Sequence, residues 1–124
     1  MKKELAAIGG VPLVLDVPEN KMELEGGWRL KDKQAEGMLF DIRRFSRVTP
    51  IWVPIVIGSA VEEPLDVLWV GEGVVRALAT HRGGCLQGYG DAVIELPAGA
   101  IERYKITVGT LVMIESETQT ASSH

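Results

Sequence analysis

The sequence predicts an all-β domain, an antiparallel jelly-roll-like sandwich or barrel with one or two short peripheral helices. Three observations carry this expectation. Some seven or eight short runs rich in Val, Ile, Leu and Trp are separated by glycine and proline turn signals. No stretch between them is long enough for the helix that a doubly wound α/β sheet places after each strand. The chain has 124 residues, 46% hydrophobic and 24% charged, which fits a single domain of ordinary composition that buries about two-thirds of its unfolded surface.

Leu5–Ile8, Gly9-Gly10 and Val11–Val17 read as strand, tight turn and strand. Pro18 opens one or two helical turns in which Met22 and Leu24 face inward and Glu19, Glu23 and Glu25 outward, ended by Gly26-Gly27. Arg29–Glu36 is polar and reads as a surface loop. Met38–Phe40 is a short strand. Ile51–Ile57 is β-branched, but Pro54 assigns it to a sheet edge or a bulge. The best hairpin signal is Leu65–Val70, the Gly71-Glu72-Gly73 turn and Val74–Thr80. His81–Gly90 then reads as a glycine-rich loop and Ala92–Leu96 as a strand. Pro97 suits the first position of a helical turn running to Tyr104. Leu111–Glu115 is the last strand. The expected organisation is one β domain over residues 1–115 and a flexible tail over 116–124.

Charge and cysteine usage narrow the function classes. The 13 basic residues against 17 acidic give a net charge of −4, which argues against a nucleic-acid partner needing a basic footprint. The longest uncharged stretch, Val48–Val61, holds fourteen residues broken by Pro50, Pro54 and Gly58, short of the roughly 20 apolar residues of a membrane span. Lys2-Lys3 before Leu5–Leu15 has the outline of a secretory leader, but Glu4, Gly9-Gly10 and Pro12 interrupt it and favour a folded hairpin. The single Cys85 leaves no intramolecular disulfide, in keeping with a cytoplasmic location.

Several motifs occur in the order of a known pattern: Gly37-Met38-Leu39-Phe40, Trp52, Pro64-Leu65-Asp66, Gly73-Val74-Val75, Tyr89, Glu95-Leu96-Pro97-Ala98-Gly99 and Val108-Gly109. Over about Val11–Glu115 the chain resembles the prokaryotic family catalogued as domain of unknown function 192. It departs from that pattern at Val53, where the family has methionine, and in the eleven residues separating Trp52 from Pro64. The resemblance implies a small jelly-roll-like β domain with one or two short helices, and it implies no reaction.

The candidate ligand-binding residues are Trp52, Asp66, His81, Tyr89 and Asp91. Asp66, at the start of a strong strand, either accepts hydrogen bonds from loop amides or serves as a general base on a pocket rim. Trp52, between two prolines, suits a cleft wall, whereas Trp69 within Leu68-Trp69-Val70 suits a core. His81–Asp91 holds four of the fourteen glycines, and loops on rigid scaffolds commonly carry sites. It lacks a P-loop signature and precedes a strand, so a nucleotide-binding reading fails its context. His81 with Cys85 is the minimum for a nucleophilic cysteine but lacks an orienting third group. Those two residues are too few for structural zinc; a hard-cation site from Asp66, Asp91 and Glu95 is a weaker alternative. Alternation puts Val93 and Glu95 on one strand face and Ile94 and Leu96 on the other, so Glu95 lies outside or lines a groove. Arg43, Arg44 and Arg47 form a basic cluster that reads most simply as solvated.

The leading expectation is a non-enzymatic β domain that binds a small ligand or a protein partner near Trp52, Asp66 and the 81–91 loop. It carries no cofactor and no metal. One alternative is a small hydrolase-like enzyme with a carboxylate/histidine site near that loop; the other is a homo-oligomer subunit paired through the edge at Ile51–Ile57.

Overall fold

The computed structural model describes residues 1–42, 53–57 and 63–116. Trp52, the Arg43/Arg44/Arg47 cluster and the tail beyond Ser116 lie outside the described residues. The chain is mostly β, with strands β1 (Lys2–Ile8), β2 (Val11–Val17), β3 (Gly37–Asp41), β4 (Val53–Ile57), β5 (Leu65–Gly71), β6 (Val74–His81), β7 (Leu86–Gly90), β8 (Ala92–Pro97) and β9 (Val112–Ser116). Helix α1 (Lys21–Gly26) and its 3-10 continuation Gly27–Leu30 follow β2, and α2 (Ala100–Arg103) follows β8. Seven strands form one sheet in the order β6-β5-β8-β3-β2-β1-β9, curled into a half-barrel, and β4 pairs with β7 in a separate ribbon.

Turn chemistry fixes both hairpins. Ile8 pairs with Val11 across Gly9 and Gly10, at φ 57° and 84°. Gly71 pairs with Val74 across Glu72 and Gly73, at φ 53° and 75°. Two successive positive φ values define the turn whose twist matches paired strands, which is why glycine recurs there. The curl is set where β6 and β9 begin. Gly109 N–H donates to Val75 O at 2.8 Å, Val75 N–H to Thr110 O at 2.9 Å and Val112 N–H to Gly73 O at 2.8 Å, drawing the two ends of the sheet together.

The concave face holds the main core, in which Ile8, Leu15, Leu39, Leu68 and Ile94 are fully buried. Val67, Trp69 and Val93 build a second cluster, with Phe40, Ala77, Ala79 and Leu86 packed against it. Strand alternation assigns these residues to the convex face, so β5 is buried along its whole length.

The structure departs from the sequence-based expectations in five places, one of them Met22, expected to face inward but exposed on α1. The sheet is mixed, because β2 and β3 pair in parallel at Leu15–Gly37 and Asp16–Met38. The segment read as a loop over 81–90 is a strand from Leu86. Gly88 and Gly90 serve close approach there: a Cβ on Gly88 would lie 2.4 Å from the Trp69 ring, and one on Gly90 2.4 Å from Val70 O. Pro97 ends β8 instead of opening a helix, and α2 starts after Gly99, whose φ is 97°. The polar 29–36 loop begins inside a 3-10 turn. Pro54 lies in the two-stranded ribbon opposite Tyr89, in keeping with the edge assignment.

Gly88→Ala is expected to lower stability by about 1–3 kcal/mol through overpacking against Trp69. Urea denaturation monitored by tryptophan fluorescence measures it, and an unchanged midpoint would contradict the close approach.

Candidate functional site

Asp66 and Leu65 are consecutive on β5, and the pleat sends their side chains to opposite faces. Asp66 is turned into the concave side and is 1% exposed. Its Oδ1 accepts from Thr80 Oγ1 at 2.7 Å; its Oδ2 accepts from Gly99 N–H at 3.0 Å and Ile101 N–H at 2.8 Å. One carboxylate thus ties β5 to β6 and satisfies two amides that the short α2 leaves without helical partners. This is the amide-accepting arrangement weighed for Asp66 from sequence.

His81 ends β6 opposite Leu65, on the convex face, and is 1% exposed. Its Nε2 lies 2.7 Å from Gly84 O. A carbonyl only accepts, so Nε2 carries the proton and neutral His81 holds a lone pair on Nδ1. That Nδ1 is buried and has no hydrogen-bond partner among the described residues. A buried polar atom left this way costs about 1–3 kcal/mol relative to one that is satisfied.

From sequence Glu95 enters only the weaker hard-cation alternative and not the five ligand-binding candidates. It pairs with Val67 of β5 on one side and Met38 of β3 on the other. The row Lys3, Asp16, Met38, Glu95, Val67, Ala79 crosses the convex face of the sheet. Glu95 is 7% exposed. Burial pushes its carboxyl up to about 6, and the charge of His81 acts on it in the opposite direction. Asp16, in the same row, contrasts with it: it accepts from Lys3 Nζ at 3.2 Å and from Asp32 N–H at 2.7 Å.

His81 and Glu95 flank β5 diagonally on one face, one beside Leu65 and the other beside Val67. Two strand spacings and a two-residue offset put their Cα atoms about 12 Å apart. The two side chains make no hydrogen bond to each other.

The other candidates do not converge on this pair. Asp66 points through the opposite face of β5. Asp91 adjoins Ala92, which pairs with Val70, five β5 residues from the Leu65–His81 pairing, or about 17 Å along the strand. Tyr89 is exposed, on the side of β7 away from the buried Gly88 and Gly90. Cys85 is exposed. Trp69 is buried, as its sequence context implied, and Trp28 donates from Nε1 to Glu63 Oε1 at 2.8 Å. No group of three or more His, Cys, Asp or Glu able to hold a metal occurs among the described residues. Among the same residues, no helix is long and apolar enough to cross a membrane.

Two variants separate the roles of these carboxylates. Asp66→Ala is expected to lose about 2–4 kcal/mol, because two backbone amides and the Thr80 hydroxyl lose their acceptor; a change under 1 kcal/mol (roughly the worth of one ordinary hydrogen bond) would contradict its role as a tie. Glu95 binds its proton more tightly folded than unfolded, with a folded value of about 6 against an ordinary 4.5. Its contribution is therefore fully present below the ordinary value and is lost as pH rises through the folded value. Glu95→Gln should be more stable than the parent above that range, by about 1–2 kcal/mol, and indistinguishable from it in acid. Urea midpoints across pH measure this, and a Gln variant less stable than the parent at neutral pH would contradict it.

No family model matches the chain, and no curated protein matches it. Two solved structures share its fold. A proposed transcription regulator from Sinorhizobium meliloti superposes with a TM-score of 0.72 at 21% identity, over 91% of this chain and 94% of that one. A protein of unknown function from Novosphingobium aromaticivorans superposes with a TM-score of 0.61 at 22% identity, over 88% of this chain and 83% of that one. At these identities the likeness is one of fold.

Proposed function

We propose that this chain is a non-enzymatic binding domain that receives a small ligand on the convex face where β6 and β8 flank β5, at His81 and Glu95. The observation that carries the reading is the buried Nδ1 of His81, which has no partner among the described residues. Buried polar side-chain atoms are nearly always satisfied, and an exception calls for an explanation such as an occupant. The hydrolase-like alternative needs the imidazole within reach of a carboxylate or of Cys85. The ring's hydrogen bond runs instead to Gly84 O, and the acceptors of Asp66 are engaged on the other face.

The resemblance to the domain of unknown function 192 family rests on the order of its motifs, of which Gly37–Phe40 lies on β3, Leu65-Asp66 on β5 and Glu95–Leu96 on β8. A cytoplasmic location belongs to the same reading and rests on the lone Cys85.

The test is a thermal-shift panel of small amines, carboxylic acids, amides and sugars on the full chain, compared with His81→Phe. A ligand at about 100 times its Kd adds about 2.7 kcal/mol, a shift of several degrees for a domain of this size. The reading expects at least one class to shift the parent and not the variant. Equal shifts in both proteins, or none in either, would overturn it.

A further inference from the structure

We propose that the group received between His81 and Glu95 is a compact organic cation of the guanidinium or ammonium type, with N–H donors directed to both side chains. The inference rests on the reading of this pair as a binding site and adds the chemistry of what binds there. Each of the two side chains leaves one kind of hydrogen-bonding capacity unused. With Nε2–H directed to Gly84 O, the Nδ1 of neutral His81 offers a lone pair and no donor. Ionised Glu95 is acceptor-only.

The two acceptors come from strands on either side of β5 and face the same buried layer. A bridging group must therefore present N–H donors in at least two directions, which a guanidinium or an ammonium does. Charge points the same way. Lys3, the cation in the same row, is held at 3.2 Å from Asp16 and 3.1 Å from Asp32. Glu95 makes no ion pair among the described residues. An anion would meet the Glu95 carboxylate among fully buried apolar neighbours, Met38 and Val67, where like charges repel far more than in water. A cation supplies the missing charge and both missing donors.

Isothermal titration calorimetry on the full chain tests this at about pH 8, above the range in which imidazoles ordinarily carry charge. The probes are methylguanidinium, methylammonium, acetate and N-methylacetamide, each run against the parent, Glu95→Gln and His81→Phe. The expected result is saturable binding of one or both cations, weakened about tenfold or more in Glu95→Gln, a loss of at least one charge-assisted hydrogen bond. Glu95→Gln keeps the side-chain volume, and its urea midpoint establishes that it is folded. If acetate or N-methylacetamide binds in a His81-dependent way while the cations do not, the cation assignment falls and the binding site stands. If no probe binds, a bridging water only is left at the pair and both readings fall. Cation binding equal in all three proteins is surface screening and also overturns the proposal.

Discussion

The constraint on which the rest of the structure depends is the double burial of β5. All seven of its residues, Leu65–Gly71, are buried, although it belongs to a curled sheet whose concave side already encloses the main core. A strand in such a sheet ordinarily shows one face to water. Here Val67 and Trp69 point out of the convex side and need a cover of their own. Leu86 and the Cβ-free backbone at Gly88 supply it, which explains why the chain leaves the main sheet after β6, lays β7 across Trp69, and returns beside β5 as β8.

Covering the convex face has an electrostatic consequence. Polar side chains that an open sheet would expose are enclosed, and each must find partners or persist at a cost. On the concave side Asp66 finds three donors and becomes a tie between β5, β6 and α2. On the convex side Asp16 finds Lys3 and the Asp32 amide. His81 finds one partner for two ring nitrogens, and burial raises the carboxyl of Glu95. Three carboxylates of one sheet thus differ in role because of what their faces pack against. The unpartnered Nδ1 of His81, on the same face as the raised carboxyl of Glu95, is where a binding partner gains most.

The parts of the fold legible in the sequence are those set by local chemistry. Gly9-Gly10 and Glu72-Gly73 specify their hairpins because the turn needs positive φ at both positions. Alternation placed Ile94 and Leu96 in the core and Glu95 on the other face. The misses are non-local. Gly88 and Gly90 signal a loop to any local rule, and only the position of Trp69 and Val70 in space turns them into strand residues. The parallel pairing of β2 with β3 depends on where the chain returns after α1. Glu95 escaped the candidate site because alternation cannot say that the convex face is covered. Asp66 and His81 read as neighbours of one loop, yet the pleat of β5 separates them by a full sheet thickness.

The central claim is that the convex layer holds a buried imidazole with Nε2 protonated and Nδ1 left as a bare acceptor. The most direct measurement is the ring ¹⁵N spectrum of His81 at neutral pH, assigned against His81→Phe because His124 is the other histidine of the chain. The account predicts two distinct ring nitrogens, with a proton on Nε2 that exchanges slowly with solvent and an unprotonated Nδ1. A proton on Nδ1, or two averaged nitrogens with rapid exchange as in an exposed histidine, would contradict it.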